Sequence, residues 1–272
     1  MAHGNRGDMM FIFRNFAKPL GALAIAAALL TSTATAQVDS AKLPAAKAAA
    51  DKFVALAKDS EKTGNVPRQN DPAVKSLLDA VFDTRDVDAA QSIPFKSATA
   101  LSERMLTGVK VGVVYMLAGT GATDISQLGS VADAEIKVNL NVIKFDAEMG
   151  RFFDFQIRMQ SALVSSVLAR LAAAKPGDWA KPNFKSGLDD VRQGTQRTVS
   201  GLIETLAVNG ISEPWRRERL PALAAIVPKL AKFLEPEQKD QLHKLALACA
   251  DVMDDPQVKQ GLQQFAKAIA AG

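Results

Sequence analysis

Cysteine and histidine are nearly absent from this chain. Its 272 residues include one cysteine, Cys249, and two histidines, His3 and His243. A single cysteine cannot form an internal disulfide bond, and an ordinary zinc site needs several histidine or cysteine ligands. A catalytic site of the Ser-His-Asp or Cys-His type would have to be built on His243 if the amino-terminal segment is removed. The sequence therefore predicts no metal site and no cofactor.

Cys249 itself admits two interpretations. It lies at helical spacing from Leu242, Leu245 and Met253 in the segment LHKLALACADVM, which is typical of a small buried hydrophobic residue. A reactive thiol would instead need a neighbouring positive charge to lower its pKa. We favour the buried residue.

Aromatic residues other than phenylalanine are also scarce, with one tyrosine and two tryptophans. Enzymes that cut glycans place a carboxylic acid of raised pKa beside the substrate. Glu148 and Asp154, which lie among phenylalanines, are candidates for that acid. A glycan cleft also stacks sugars on aromatic rings, however, and this sequence offers few of them.

The chain has neither a strong excess of one charge nor a long apolar run after its amino-terminal segment. Without residues 1–36, 30 basic and 28 acidic residues remain. This near-balance argues against a nucleic-acid-binding protein, which usually carries a clear basic excess. No later run of 18 uncharged apolar residues occurs, so we expect no transmembrane segment in the mature chain.

The amino terminus has the pattern of a secretory signal peptide. Arg14 and Lys18 precede an uncharged apolar run at residues 19–30, and small residues then lead to Ala36. This order of basic, apolar and small residues predicts cleavage after Ala36 and a soluble protein that is periplasmic or secreted. Translation from Met10 rather than Met1 would give a more ordinary signal peptide, and the sequence leaves the start open.

The remaining sequence predicts an all-α protein, an irregular bundle of about eight helices. Apolar residues recur at steps of three and four, and Asp-Pro pairs at Asp71 and Asp255 are typical helix starts. Residues 145–174 predict one long central helix with apolar residues on most sides. Breaks near residue 175 divide the chain into subdomains at 37–175 and 176–272, which could also pack as one domain.

Two segments are ambiguous between helix and strand. Residues 109–117 are rich in β-branched residues, and residues 135–142 alternate strictly between polar and apolar. Both also fit a helical stripe that continues into their neighbours. We favour helix for both, because a lone strand would have no partner.

The central helix carries four charges among its apolar residues: Glu148, Arg151, Asp154 and Arg158. Residues three or four apart on a helix are neighbours, so these side chains are predicted to form an ion ladder within the helix. The alternative is that Arg151 and Arg158 reach into a cavity and bind an anionic headgroup, with phenylalanines and methionines around an apolar tail.

A second candidate is the densest basic patch, formed by Trp215, Arg216, Arg217 and Arg219. It could bind a phosphate, a lipid headgroup or another anionic partner. The alternative is an ordinary first turn of a helix whose arginines pair with Glu213 and Glu218.

No motif specifies a reaction. We therefore expect a non-enzymatic binding or accessory protein of the bacterial envelope, either a module for another envelope protein or a carrier of a small amphipathic ligand. The alternative is a carboxylate-dependent envelope hydrolase that uses Glu148 or Asp154.

Overall fold

A computed structural model describes residues 42–272 of the protein, except residues 89 and 91. The predicted signal peptide and the two possible start sites lie outside these residues. Every regular element in the described part of the chain is helical, as predicted. The α-helices are α1 (Lys42–Leu56), α2 (Ser60–Thr63), α3 (Pro72–Val81), α4 (Arg85–Asp88), α5 (Ala98–Leu117), α6 (Ala134–Lys144), α7 (Asp146–Ala172), α8 (Pro176–Trp179), α9 (Pro182–Leu206), α10 (Glu213–Phe233), α11 (Pro236–Asp251) and α12 (Pro256–Ala271).

The predicted count of about eight helices is not confirmed. The described residues contain nine helices of ten or more residues, three single-turn helices, and 3₁₀ turns at Phe95–Ser97 and Ile125–Ser130. The short helices account for part of the difference, because a four-residue helix is too short to show a hydrophobic period.

Several helices begin where the sequence predicted. The Asp71 carboxylate accepts a hydrogen bond from the backbone N–H of Ala73 at 2.8 Å. The Asp255 carboxylate accepts two, from Gln257 and Val258, both at 2.9 Å. In each case the side chain satisfies N–H groups that have no partner inside the helix, and the proline that follows has no N–H to satisfy.

The two ambiguous segments are both helical. Residues 109–117 belong to α5 and residues 135–142 belong to α6. Tertiary packing explains the alternating sequence of α6. Val138 and Val142 are buried, whereas Ile136 and Leu140 are more than half exposed. The alternation therefore reflects one buried face of a helix and two isolated apolar residues on the other.

Helix α10 continues through two prolines, a residue type that usually limits or kinks a helix. Pro221 and Pro228 both lie inside Glu213–Phe233, and neither ends the helix. A proline inside a helix removes one backbone hydrogen bond. Both prolines are on the exposed side of α10, where water can satisfy the carbonyl that loses its partner.

Helix α7 is the central helix that the sequence predicted, although it is shorter. It runs from Asp146 to Ala172, about 40 Å at 1.5 Å per residue. Phe145 separates it from α6. It packs against α5, α6, α9 and α10, and its buried residues occur on most of its circumference. Since α9 and α10 follow residue 175, helices from both predicted subdomains contact α7; the division itself stays a prediction.

Glycines allow α5 to approach α7 closely. A Cβ atom at Gly112 would lie 2.7 Å from the ring of Phe152, and one at Gly108 would overlap the ring of Phe155. Both rings are buried and also contact Phe82. The distance between the two helices therefore depends on the absence of side chains at these glycines.

We predict that Gly112→Ala destabilises the protein by about 1–3 kcal/mol, because the added methyl group overpacks a closed interface. Gly194→Ala in α9 is the matched control, since a Cβ there would meet no atom within 4 Å. That control should be neutral or stabilising by up to about 1 kcal/mol. Urea unfolding measures both changes, and equal stability of the two variants would contradict the close packing.

Candidate functional site

Glu148 is the most deeply buried of the four predicted charges on α7. Its side chain is inaccessible to solvent and accepts hydrogen bonds from Arg68 Nε at 3.0 Å and the Gln69 backbone N–H at 2.8 Å. Both donors lie in the loop between α2 and α3. Glu148 therefore binds that loop to α7, and its described ion-pair partner is not Arg151.

The two arginines on α7 also pair outside their own helix. Arg151 Nη2 lies 2.6 Å from a carboxylate oxygen of Asp79 in α3. Arg158 Nη1 lies 2.7 Å from a carboxylate oxygen of Asp88 in α4. The predicted ion ladder within α7 is therefore replaced by ion pairs between α7 and the elements around it.

Asp154, the fourth of the predicted charges on α7, pairs with a different element again. Its carboxylate lies 3.5 Å from Arg219 Nη2 in α10. Burial raises the pKa of this carboxyl, against the lowering effect of the Arg219 charge. Glu148 and Asp154 contact different elements, so these two acids do not form the facing carboxylate pair that glycoside hydrolysis uses.

The predicted basic patch is mostly an interior structure. Trp215, Arg216 and Arg219 are each less than a tenth exposed. Arg216 donates to the carbonyls of Leu206 and Val208, both at 2.8 Å, at the end of α9. Its guanidinium thereby satisfies two carbonyls that lie at or beyond the last turn of that helix.

The other members of the patch are also engaged. Arg219 stacks over the ring of Trp215 at 4.2 Å and pairs with Glu218. Arg217 is half exposed and pairs with the buried carboxylate of Asp255. The patch therefore does not present a free basic surface, and its arginines join α10 to α7, α9 and α12.

We predict that Arg216→Met lowers the free energy of unfolding by about 2–4 kcal/mol, because two buried carbonyls lose their donor. Arg85→Met is the control, since 86% of the Arg85 side chain is exposed and it should change stability little. Chemical denaturation of both variants measures the difference. A small effect of Arg216→Met would mean that water replaces the guanidinium and that the end of α9 is more accessible to solvent than in this structure.

Cys249 is buried, as predicted, and its environment disfavours a reactive thiol. Burial raises the pKa of this thiol to about 12, with a smaller contribution from the charge of Glu204. His243 Nδ1 lies 2.9 Å from the carbonyl oxygen of Ala266, which joins α11 to α12. Neither residue shows the geometry of a catalytic nucleophile and base.

Helices α7 and α10 run parallel. The indole N–H of Trp215 donates to the carbonyl of Asp146 at 2.9 Å, Arg219 pairs with Asp154, and Lys229 donates to the Ser161 hydroxyl at 2.7 Å. The contacts thus advance in the same direction along both helices. Lys229 is 14 residues after Trp215, so it lies four turns further along α10.

A groove lies beside the second half of α7, from Ile157 to Ser165. Its volume is about 440 Å³, within the range of small-ligand sites. One wall is α7, the second is α10, and the third contains Val87, Asp88, Ala90, Ser92 and Ile93. Its apolar lining comes from Val87, Ala90, Ile93, Ile157, Ala162, Ala222, Ala225 and Ile226, and its polar lining from Asp88, Ser92, Arg158, Ser161, Ser165 and Lys229.

Residue size explains why a groove forms here. Ala162 on α7 and Ala222 and Ala225 on α10 lie where larger side chains would fill the space between the walls. Earlier along the same two helices, Phe153 packs against Trp215 with ring centroids 5.6 Å apart. The interface is therefore closed at its aromatic end and open at its alanine end.

Lys229 is the distinctive cation of the groove. Its ammonium donates to the Ser161 hydroxyl at 2.7 Å and lies 3.5 Å from the Ser161 carbonyl oxygen. Among the described residues, no carboxylate forms an ion pair with it. Partial burial is the cause that lowers the pKa of this lysine. Arg158, in contrast, is neutralised by Asp88, which also accepts a hydrogen bond from Thr84 at 2.8 Å. The three charged residues of the lining thus carry a net charge of +1.

The cavity predicted for the α7 arginines stays a prediction, and the groove can be compared with it residue by residue. Of the two arginines, Arg158 lines the groove, whereas Arg151 pairs with Asp79 elsewhere. The lining contains small aliphatic side chains rather than the expected phenylalanines and methionines. The phenylalanines and methionines of α7 that the structure describes are part of the buried core instead, and Phe153 packs against Trp215 of α10.

The sequence analysis did not predict Lys229, Ser161 or Ser165 as site residues. A signal was present, since Arg158, Ser161 and Ser165 are spaced by three and four and therefore share one face of α7. Ala222, Ala225 and Lys229 have the same spacing on α10. Which face of α10 meets that face of α7 is set by tertiary packing, which neither pattern specifies.

Comparison with protein-family models, with curated proteins and with solved structures finds no match to this chain. Within the described residues, no cluster of three or more histidine, cysteine, aspartate or glutamate side chains could hold a metal ion. No helix among these residues is long and apolar enough to cross a membrane.

Proposed function

We propose that this protein is a non-enzymatic binding protein that holds a small amphipathic anion in the groove that α7, α10, Val87, Asp88 and Ile93 line. The observation that carries the proposal is the position of Lys229. A partly buried ammonium group faces an apolar-lined groove and has a serine hydroxyl as its partner there. An anion bound to Lys229 would supply the missing counter-charge.

The lining favours a ligand with one polar end and one apolar part. Lys229 on α10 contacts Ser161 on α7, Ser165 lies one turn further along α7, and aliphatic side chains such as Ile157 and Ile226 supply the apolar surface. Apolar burial would contribute about 25 cal/mol for each Å² removed from water. The charged end would fix the orientation of the ligand.

The proposal includes export to the bacterial periplasm. It is supported by the basic, apolar and small-residue order of residues 14–36, which would be cleaved after Ala36. A carrier in that compartment would meet amphipathic molecules that pass between membranes.

Native mass spectrometry of protein purified gently from its own cell envelope tests the proposal. We expect a reproducible extra mass that is released on unfolding. A bare chain, together with no binding of added octanoate in calorimetric titration, would overturn it. The same spectra determine whether the mature chain starts at residue 37.

We predict that Ala225→Leu reduces octanoate binding by tenfold or more, because the larger side chain fills the groove. Ala224→Leu is the matched control. Ala224 is the neighbouring exposed alanine on α10 and does not line the groove, so its substitution should leave affinity unchanged. Equal affinities of the two variants would place the ligand elsewhere on the protein.

We predict that octanoate affinity falls as the pH rises through the lowered pKa of Lys229, because the anion binds the charged ammonium form. The loss should therefore begin at a lower pH than for an ordinary lysine, whose pKa is about 10.4. Calorimetric titrations between pH 6 and pH 10 measure it. The variant Lys229→Gln keeps Asp88 and Arg158, and its weaker binding should lack this pH dependence.

A further inference from the structure

The charges of the groove also bear on which anions it can hold. Lys229 and Arg158 contribute two positive charges, and Asp88 contributes one negative charge. Arg158 and Asp88 are already paired at 2.7 Å. A ligand with one negative charge can bind Lys229 without disturbing that pair, and the groove with its ligand is then electrically neutral.

A ligand with two negative charges meets a different situation. Its second charge would have to share Arg158, whose charge is already balanced by Asp88 through Nη1. The Asp88 carboxylate, which lines the same groove, would then face the ligand as a like charge. The Arg158 and Asp88 side chains are 50% and 38% exposed, and a like-charge contact with Asp88 there disfavours binding and thereby discriminates between ligands.

The shape and chemistry of the walls restrict the apolar part as well. The described lining contains alanine, valine and isoleucine side chains and no aromatic ring. Ring-shaped ligands such as sugars and aromatic acids usually gain affinity by stacking on aromatic side chains. A flexible aliphatic chain needs no such partner and can follow a wall made of methyl groups.

We propose, resting on the binding function above, that the groove selects singly charged aliphatic anions and uses the Asp88–Arg158 ion pair to reject doubly charged ones. In this arrangement the anionic head contacts the Lys229 ammonium and the Ser161 hydroxyl. The aliphatic chain lies along Ile157, Ala162 and Ile226. Asp88 is a specificity residue, because it neutralises Arg158 and so limits the available charge to one.

Calorimetric titration at pH 8 with four probes of similar size tests the selectivity. These are octanoate, octyl phosphate, which is mostly doubly charged at this pH, octylammonium, and 3-phenylpropanoate as an aromatic monoanion. We expect octanoate to bind at least tenfold more tightly than each of the others. Equal or tighter binding of octyl phosphate or 3-phenylpropanoate would overturn the selectivity and leave the binding function standing. Binding of none of the four would contradict the binding function itself.

The variant Asp88→Asn provides a gain-of-function test. It keeps the shape of the side chain and removes its charge, so Arg158 becomes available to a second ligand charge. We expect the preference for octanoate over octyl phosphate to fall by tenfold or more, mainly through tighter binding of octyl phosphate. An unchanged ratio in folded Asp88→Asn protein would overturn the role of Asp88.

The variant Lys229→Gln tests the head contact, and Lys232→Gln is its control. Lys232 is an exposed lysine on the same helix and does not line the groove. Loss of a charge-assisted hydrogen bond should weaken octanoate binding by roughly tenfold to a hundredfold in Lys229→Gln. Lys232→Gln should bind like the unaltered protein. Equal losses of affinity in both variants would mean that only the net charge of the protein matters. That result would contradict a specific contact between Lys229 and the anionic head.

Discussion

A charged side chain on a buried helix must find a counter-charge, and in this protein the counter-charge comes from another part of the chain. Glu148 is inaccessible to solvent, and an unpaired carboxylate in that position would cost several kcal/mol. Arg68 and the Gln69 backbone N–H supply its described partners. The loop after α2 is thereby tied to α7, and the same relation joins Arg151 to α3 and Asp154 to α10. These pairs specify which elements lie around the central helix.

Side-chain size then determines how close those elements come. Glycines on α5 let the rings of α7 fill the interface, and Gly150 makes room on α7 for the Arg219 guanidinium and the Trp215 indole. Further along, alanines on α7 and α10 have no large ring opposite them, and the groove remains. One helix thus has a closed half that packs tightly in the bundle and an open half that borders the groove.

The sequence predicts the local features well and the tertiary ones poorly, for a physical reason. Helix starts such as Asp71 and Asp255 depend on hydrogen bonds that reach two or three residues, so the chain order specifies them. The long central helix follows from its apolar period. The ion pairs of α7 were predicted at spacings of three and four, yet the four charges pair with Arg68, Asp79, Asp88 and Arg219 on other elements, which tertiary packing places beside α7. The groove depends on the relative orientation of two helices that are separated by the 40 residues from 173 to 212, which no local pattern reports.

The basic side chains at the two ends of the α7–α10 interface make different contacts. Arg216, Arg217 and Arg219 bind carbonyls or carboxylates, and Arg158 binds Asp88. Each of these contacts connects two elements or satisfies a helix end, which is what a structural cation does. Lys229 is partly buried and lies beside a hydroxyl, and burial lowers its pKa because nothing in its described surroundings offsets the desolvation. Burial therefore disfavours the charged form of Lys229, and the anion proposed for the groove would offset that cost.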